Sequence, residues 1–242
     1  MDSISIVIPA YNEEQRLGST LNAILSFLNQ RPGGFAEILV VDDGSRDATA
    51  RIVEQFSADH PQIRLLRNPG NRGKGYSVRH GVLESLGEWI LFTDADLSAP
   101  IEELDKLFDA VRRHDADIAI GSRALDRSLI QVHQSWFRET AGRIFNLFLR
   151  LLTGLPFLDT QCGFKLYRRH AAQEIFRRQR LERFGFDAEV LYIARRLGFR
   201  CVEVPVRWSH SPGTKVSMFR DSLDMFLDLL RVRWNDMLGR YR

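Results

Sequence analysis

Two carboxylates lie one residue apart where an apolar run ends. Residues 89–92 are followed by Thr93, and Asp94 and Asp96 come next. Residues i and i+2 of an extended strand point to the same side, so both carboxylates can approach one cation. Carboxylate oxygens suit Mg²⁺ or Mn²⁺, and such an ion can hold the phosphates of a nucleotide. Taken alone, so short a pair is more typical of a solvated turn after a strand.

Strand and helix patterns alternate through the first half of the chain. Apolar runs predict strands at 5–9, 37–41, 63–67, 89–93 and 117–121. Helical patterns are predicted at 15–28, after Asp47, at 75–86 and at 100–114. This alternation predicts an α/β fold with a parallel sheet flanked by helices.

The chemically rich loops follow the first four predicted strands. They are 9–13 (Pro-Ala-Tyr-Asn-Glu), 42–45 (Asp-Asp-Gly-Ser), 71–75 (Asn-Arg-Gly-Lys-Gly) and the acidic pair at 94–96. Open parallel sheets bind ligands beyond the carboxyl ends of their strands, so we expect these four loops to meet at one edge.

Each loop has a candidate role in binding a nucleotide. Asp42 or Asp43 can accept hydrogen bonds from a base or ribose, although a turn or N-cap role is the alternative for one of them. Tyr11 can stack on a base and Glu13 can accept from a ribose hydroxyl. Lys74, within a glycine-rich loop, supplies a mobile positive charge for phosphate. The glycine spacings match neither a P-loop nor a dinucleotide-binding fingerprint.

Length and composition fit one large α/β domain or two small ones. The chain has 242 residues, 44% of them hydrophobic, and a net charge of +3 that divides into −7 for residues 1–120 and +10 for residues 121–242. The acidic half can hold a cation and the basic half can meet an anionic acceptor or membrane, but solvated helix faces explain the charges as well.

Membrane and redox signals are weak. No run approaches the roughly 18 apolar residues of a membrane span. Segments 144–158 and 218–238 are apolar or amphipathic and could touch a membrane, with packing on the protein's own core as the alternative. The N-terminus resembles no signal peptide, and Cys162 and Cys201 are expected to be reduced core thiols, so we expect a cytoplasmic protein.

Three motifs together resemble family 2 glycosyltransferases: residues 9–13, 42–45 and 94–96 in this order. Segments 71–75, 121–123, 159–165, 186–189 and 203–208 add to the resemblance, in particular to the dolichyl-phosphate and polyprenyl-phosphate glucosyltransferases and their mannosyl relatives. The resemblance implies a GT-A type fold, with a Rossmann-like, mostly parallel sheet flanked by helices and a C-terminal acceptor-side extension. Residues 1–242 would form one domain, with nucleotide-sugar binding in 1–120 and acceptor binding in 121–242.

The resemblance also implies a UDP-sugar or GDP-sugar donor, Mg²⁺ or Mn²⁺ as cofactor, and a polyprenyl or dolichyl phosphate acceptor, with inversion at the anomeric carbon. Asp94 and Asp96 would bind the metal; Ser98 stands where relatives have Gln, which leaves the third protein ligand open. The nucleotide-sugar-binding residues would be Pro9, Ala10, Tyr11, Glu13, Asp42, Asp43, Gly44, Lys74, Asp94, Ala95 and Asp96.

On the acceptor side, Arg123 and Arg138 match the positions of acceptor-phosphate arginines in the lipid-phosphate relatives. The expected catalytic residues are Asp96, Asp187 and Arg123. A phosphate monoester, with a second pKa of about 6, needs no strong base, whereas a hydroxyl acceptor would need one. Asp187 is the candidate base, with a helix N-cap as the alternative.

The sequence therefore predicts a metal-dependent transfer of a hexose, glucose from UDP-glucose in the leading hypothesis, to a lipid phosphate. The enzyme would be peripheral at the cytoplasmic face of the membrane, with no nucleic-acid partner. The alternatives are a polysaccharide or soluble acceptor, and a non-catalytic nucleotide-sugar sensor on the same fold. The hexose, the base, the lipid length and the oligomeric state are not fixed by the sequence.

Overall fold

The architecture is a seven-stranded sheet with helices on both faces. The structure, a computed structural model, describes residues 3–31, 33–132, 146–210 and 218–242, the side chains of 218–223 excepted. The strands are β1 (Ile4–Ala10), β2 (Ala36–Asp42), β3 (Ile63–Arg67), β4 (Trp89–Thr93), β5 (Ile118–Ser122), β6 (Ile130–Val132), β7 (Phe164–Arg168), β8 (Cys201–Pro205) and β9 (Trp208–Ser209).

The sheet order is β3-β2-β1-β4-β7-β5-β8, and β6 pairs with β9 in a separate two-stranded sheet. In the large sheet β7 runs antiparallel to β4 and β5, and the other pairs are parallel. The predicted, mostly parallel α/β sheet is confirmed. Since β7 and β8 lie in the same sheet as β1 to β4, the two halves of the chain share one framework.

The helices are α1 (Leu17–Asn29), α2 (Thr49–Asp59), α3 (Lys74–Leu83), α4 (Leu104–His114), α5 (146–153), α6 (Arg169–Arg178), α7 (Phe186–Arg196) and α8 (Met218–Met237). A 3₁₀ turn, Ile101–Glu103, precedes α4. Within the residues described, none of these helices has the length and apolar character needed to cross a membrane.

Two apolar cores lie on the two faces of the sheet because strand side chains alternate. In β1, Ile6 and Ile8 belong to the core shared with α1 and α4, whereas Val7 belongs to the core shared with α3, α6 and α7. This double burial explains why the strands appear as continuous apolar runs. Cys162 and Cys201 are free thiols, as expected.

Candidate functional site

The loops after β1 and β2 form one surface at the carboxyl edge of the sheet. The N–H of Asn12 donates to Ser45 Oγ at 2.9 Å, and the N–H of Asp43 donates to the Ala10 carbonyl at 2.9 Å. Asn12 has a left-handed backbone, with φ of 53°. Tyr11 is half-buried beside it. The structure thus brings together the loops that the sequence singled out.

Asp43 ties the loop after β3 to this surface. Its Oδ1 accepts from the N–H of Arg72 at 2.9 Å and from Asn68 Nδ2 at 2.7 Å, and its Oδ2 accepts from the N–H of Gly73 at 2.8 Å. Asp42 Oδ1 accepts from the backbone of Ser45, within the turn itself. Both carboxylates are buried and shape these loops. Base or ribose binding by Asp42 or Asp43 stays a prediction.

Close backbone packing joins the second and third loops. Gly44 has a φ of 75°, and a Cβ there would lie 2.9 Å from the carbonyl carbon of Gly70. Only glycine fits both the left-handed conformation and this approach. In the first loop, the Glu13 carboxylate forms an ion pair with Arg16 at 2.7 Å. Pro9 lies opposite Val41 in the pairing of β1 with β2.

The acidic turn after β4 is held from α1. Thr20 Oγ1 donates to the Ala95 carbonyl at 2.6 Å, and the N–H of Leu97 donates to the Asp94 carbonyl at 3.2 Å. Leu97 adopts a φ of 45°, which is uncommon for a side chain of this size. These contacts keep both carboxylates of the pair at the edge of the sheet.

Asp94 and Asp96 are the two half-buried carboxylates of this turn, and their role as metal ligands stays a prediction. Their side chains are 33% and 22% exposed, and both currently face cations: Asp94 Oδ1 lies 2.7 Å from Lys74 Nζ, and Asp96 Oδ2 lies 3.6 Å from Arg16 Nη1. Asp96 Oδ1 also accepts from the N–H of Ser98 at 2.9 Å. Among the described residues no group of three His, Cys, Asp or Glu side chains is placed to bind a metal.

Lys74 begins α3 at a point where the backbone packs tightly. A Cβ at Gly73 would lie 2.5 Å from the Glu182 carbonyl oxygen, and one at Gly75 would lie 2.7 Å from Phe186 Cβ. The two glycines therefore let the start of α3 approach the loop before α7. That approach places Lys74 between the acidic turn and α7.

The charge of Lys74 is set by its neighbours. Burial lowers the pKa of its ammonium group, but Asp94, Asp187 and Asp96 outweigh this effect and the pKa is raised. Lys74 is therefore a permanent cation at neutral pH. A cation held beside half-buried carboxylates, close to a helix N-terminus, is suited to receive a diphosphate.

Asp187 lies in the first turn of α7. The N-cap of this helix is Gly185, so the alternative role of Asp187 as an N-cap is wrong. Asp187 is 3% exposed, and its Oδ1 pairs with Lys165 Nζ, which also donates to the Cys162 carbonyl at 2.6 Å. Burial raises the pKa of Asp187, and Lys165 and Lys74 oppose the shift without cancelling it. The role of a base stays a prediction, and the contact observed is a buried ion pair.

Arg123, directly after β5, forms a forked ion pair with Asp159. Its Nε and Nη2 lie 2.6 and 2.9 Å from the two carboxylate oxygens. Burial lowers the pKa of Arg123, but the effect of Asp159 is larger and the pKa is raised. Asp94 also raises this pKa, so Arg123 lies within electrostatic reach of the acidic turn. The guanidinium lies over the Trp208 ring at 5.3 Å. Arg138 lies outside the described residues.

The family model named "Glycosyl transferase family 2" matches residues 5–176. The chain belongs to glycosyltransferase family 2. The matched range runs from β1 into α6 and contains the loops that follow β1 to β5, whereas the loop before α7 lies beyond it. The GT-A type fold expected from the resemblance is confirmed.

Curated relatives of this glycosyltransferase match it over nearly its full length. The "Dolichyl-phosphate beta-glucosyltransferase" of Drosophila melanogaster is 39% identical over 99% of the chain and 77% of the relative. The proteins of the same name from Dictyostelium discoideum and Homo sapiens are each 36% identical over 99% of the chain, covering 76% and 77% of the relative.

Solved structures share the fold at lower identity. Mannosyl-3-phosphoglycerate synthase from Rubrobacter xylanophilus has a TM-score of 0.68 at 21% identity, covering 98% of this chain and 75% of that one. Glucosyl-3-phosphoglycerate synthase from Mycobacterium tuberculosis, in complex with Mn²⁺, UDP-glucose and phosphoglyceric acid, has a TM-score of 0.69 at 19% identity, covering 96% and 79%. These likenesses establish the fold.

Three residues around the site of the glycosyltransferase were not individually predicted from the sequence. Thr20 holds the acidic turn, Asp159 pairs with Arg123, and Lys165 pairs with Asp187. Segment 159–165, which contains Asp159 and Lys165, contributed to the family resemblance, and Lys165 is a lysine inside the otherwise apolar run 164–167 of β7. A buried lysine in a central strand requires a partner, which sequence alone does not identify.

Proposed function

We propose that this enzyme transfers glucose from UDP-glucose to dolichyl phosphate or a related polyprenyl phosphate, with Mg²⁺ or Mn²⁺ as cofactor. The observation that carries the proposal is the placement of two half-buried carboxylates and two cations, Lys74 and Arg123, around one edge of the sheet. The names of relatives at 36–39% identity narrow the sugar and the acceptor.

The donor occupies the edge formed by residues 1–120 in this proposal. Asp94 and Asp96 would hold the divalent cation, which supplies Lewis-acid stabilisation of the charge on the departing diphosphate. Lys74 exchanges its contact with Asp94 for one with the diphosphate. The base and ribose lie against the loops at 9–13 and 42–44, where Tyr11 and Glu13 supply a ring and a carboxylate.

The acceptor phosphate binds on the side formed by residues 121–242, beside Arg123. At neutral pH a phosphate monoester is largely a dianion, so one of its oxygens attacks the anomeric carbon directly. The new carbon–oxygen bond forms on the face opposite the departing group, the bond to UDP breaks, and UDP leaves with the electron pair. No proton has to be removed in this step, which agrees with an Asp187 already engaged by Lys165.

The test is transfer of radiolabel from UDP-glucose in the presence of Mn²⁺. We expect label to enter the organic phase only when dolichyl or undecaprenyl phosphate is supplied, and not from labelled GDP-mannose. Label in a soluble glycan or a phosphorylated soluble acceptor would instead establish the alternative acceptor class. A protein that binds UDP-glucose but transfers nothing to any acceptor would contradict enzymatic function and support the sensor alternative.

We further propose that α5 and α8 rest on the cytoplasmic face of the membrane that holds the acceptor. Phe148 of α5 and Phe226 of α8 contact each other, with ring centroids 6.2 Å apart, so the two helices present one surface. Its exposed apolar side chains include Leu151 at 72% and Trp234 at 59%. An apolar helix surface of this kind suits the interface between headgroups and acyl chains.

Flotation with vesicles of mixed phosphatidylcholine and phosphatidylglycerol tests this surface. We expect the double variant Leu151→Ser, Trp234→Ser to lose at least half of the bound fraction, because it removes the two most protruding anchors named above. The matched control is Leu86→Ser, since Leu86 is 55% exposed but belongs to the segment before β4 and not to α5 or α8. Equal flotation of the parent and the double variant would contradict the proposal.

A further inference from the structure

Lys165 occupies a position where an apolar side chain would be expected. It lies in β7 opposite Phe92 of β4, on the face where Tyr167 and Phe92 belong to the apolar core, and its side chain is fully buried. Burying an ammonium group costs several kcal/mol, and well-packed apolar pairs usually replace a buried ion pair without loss of stability. Stability alone therefore does not explain why the pair of Lys165 and Asp187 is here.

The two hydrogen bonds of Lys165 connect it to the surroundings of Asp94, a carboxylate on the proposed sugar-donor side. Lys165 Nζ donates to the Cys162 carbonyl at 2.6 Å, which fixes the backbone next to Gly163. Gly163 packs directly against Asp94, and a Cβ at this glycine would overlap the carboxylate. The other contact, with Asp187, places a carboxylate within electrostatic reach of Lys74, the partner of Asp94.

The loop that contains Cys162 and Gly163 also contacts Arg123, on the proposed acceptor side. Residues 159–163 begin with Asp159, whose oxygens hold the Arg123 guanidinium, and end at Gly163 beside Asp94. Asp159 Oδ1 further accepts from the N–H of Gln161 at 3.1 Å, which stiffens the loop between these two points. One short segment, anchored by Lys165, therefore sets the separation of the donor and acceptor groups.

We propose that Lys165 is a positioning residue for glucosyl transfer: through Cys162 and Asp187 it fixes Asp94 and Lys74 relative to Arg123. The inference rests on the proposed function, since it concerns the alignment of that donor with that acceptor. Asp187 is then a partner of Lys165 rather than a base. A misplacement of about 1 Å can cost a hundredfold in rate, so an anchor without contact to substrate can have a large effect.

The main test is the double variant Lys165→Met, Asp187→Leu, which removes both buried charges together. We expect it to fold, with a Tm within a few degrees of the parent, because no unpaired charge stays buried. We expect its kcat to fall about a hundredfold and its Kd for UDP with Mn²⁺, measured by calorimetry, to rise about tenfold. Lys106→Met, which removes a half-exposed lysine paired with Glu103, is the control and should match the parent.

A folded double variant with parental kcat and parental Kd for UDP would overturn the proposal and leave Lys165 a purely structural residue. The UDP measurement needs no acceptor, so it reports on Lys165 even where the parent fails to use dolichyl phosphate. That failure would count against the proposed acceptor alone.

A second variant, Asp187→Asn, separates positioning from base catalysis and serves if the double variant does not fold. It keeps the oxygen that accepts from Lys165, so we expect kcat within about tenfold of the parent and an unchanged shape of the pH profile. A loss of more than about a hundredfold with a flattened pH profile would identify Asp187 as a base. That result would overturn the positioning role.

Discussion

Replacing Arg123 with alanine is expected to lower the free energy of unfolding by about 3 to 5 kcal/mol. The substitution leaves the buried Asp159 without the guanidinium that both of its oxygens contact. Urea denaturation at pH 7 measures the effect. The control is Arg113→Ala, an exposed arginine at the end of α4, which should change stability by less than about 0.5 kcal/mol.

This stability difference depends on pH in a defined direction. Burial alone would raise the pKa of Asp159, but Arg123 outweighs it and the pKa is lowered. The pair therefore contributes fully above the pKa of an unfolded aspartate, about 3.9. Its contribution is lost as the pH falls through the lower folded pKa. We expect the difference between parent and Arg123→Ala to shrink below about pH 4, and a constant difference down to pH 3 would contradict this assignment.

The acceptor role of Arg123 is separable from its structural role. Arg123→Lys keeps a cation for Asp159 but lacks the planar fork that can serve a carboxylate and a phosphate together. We expect it to keep most of the stability while the KM for the lipid phosphate rises at least about tenfold. An unchanged KM would restrict Arg123 to holding Asp159.

The sheet was largely predictable in the first half of the chain. The runs at 5–9, 37–41, 63–67 and 89–93 become β1 to β4 with ends within one residue. Strands β1, β2 and β4 are buried on both faces and are mostly apolar, whereas the edge strand β3 is only partly buried. The carboxyl-edge loops were predictable for the same reason, since each polar loop begins where an apolar run stops.

The second half was harder to predict because tertiary contacts decide it. Strand β7 contains Lys165 and ends at Arg168, which obscures the apolar pattern, and its antiparallel insertion between β4 and β5 follows from no local signal. The pairs Arg123–Asp159 and Lys165–Asp187 join residues 36 and 22 positions apart. Sequence identifies such charges but not their partners.

The use of Asp43 illustrates a finer limit. Its position after β2 correctly placed it at the candidate site, but its carboxylate accepts from the backbone of Arg72 and Gly73. That contact depends on the conformation of a loop with left-handed glycines, including Gly73 with a φ of 111°. The residue type and spacing were compatible with both ligand binding and loop support.

Asp96→Asn is expected to lower kcat at least about a thousandfold, which corresponds to ~4 kcal/mol of transition-state stabilisation. The amide keeps the shape of the side chain and the contact with the N–H of Ser98 but removes the charge that a divalent cation requires. The labelled transfer assay with Mn²⁺ measures kcat. Asp109→Asn, on the exposed face of α4, is the matched control and should retain parental kcat.

The metal-binding role of Asp96 is tested by a calorimetric titration of UDP-glucose into the parent enzyme and into Asp96→Asn, each with Mn²⁺ and with EDTA. We expect Mn²⁺ to tighten binding to the parent at least about a hundredfold, or ~2.7 kcal/mol, and to have little effect on the variant. Equal affinity of the parent with Mn²⁺ and with EDTA, or an undiminished Mn²⁺ effect in Asp96→Asn, would contradict this role.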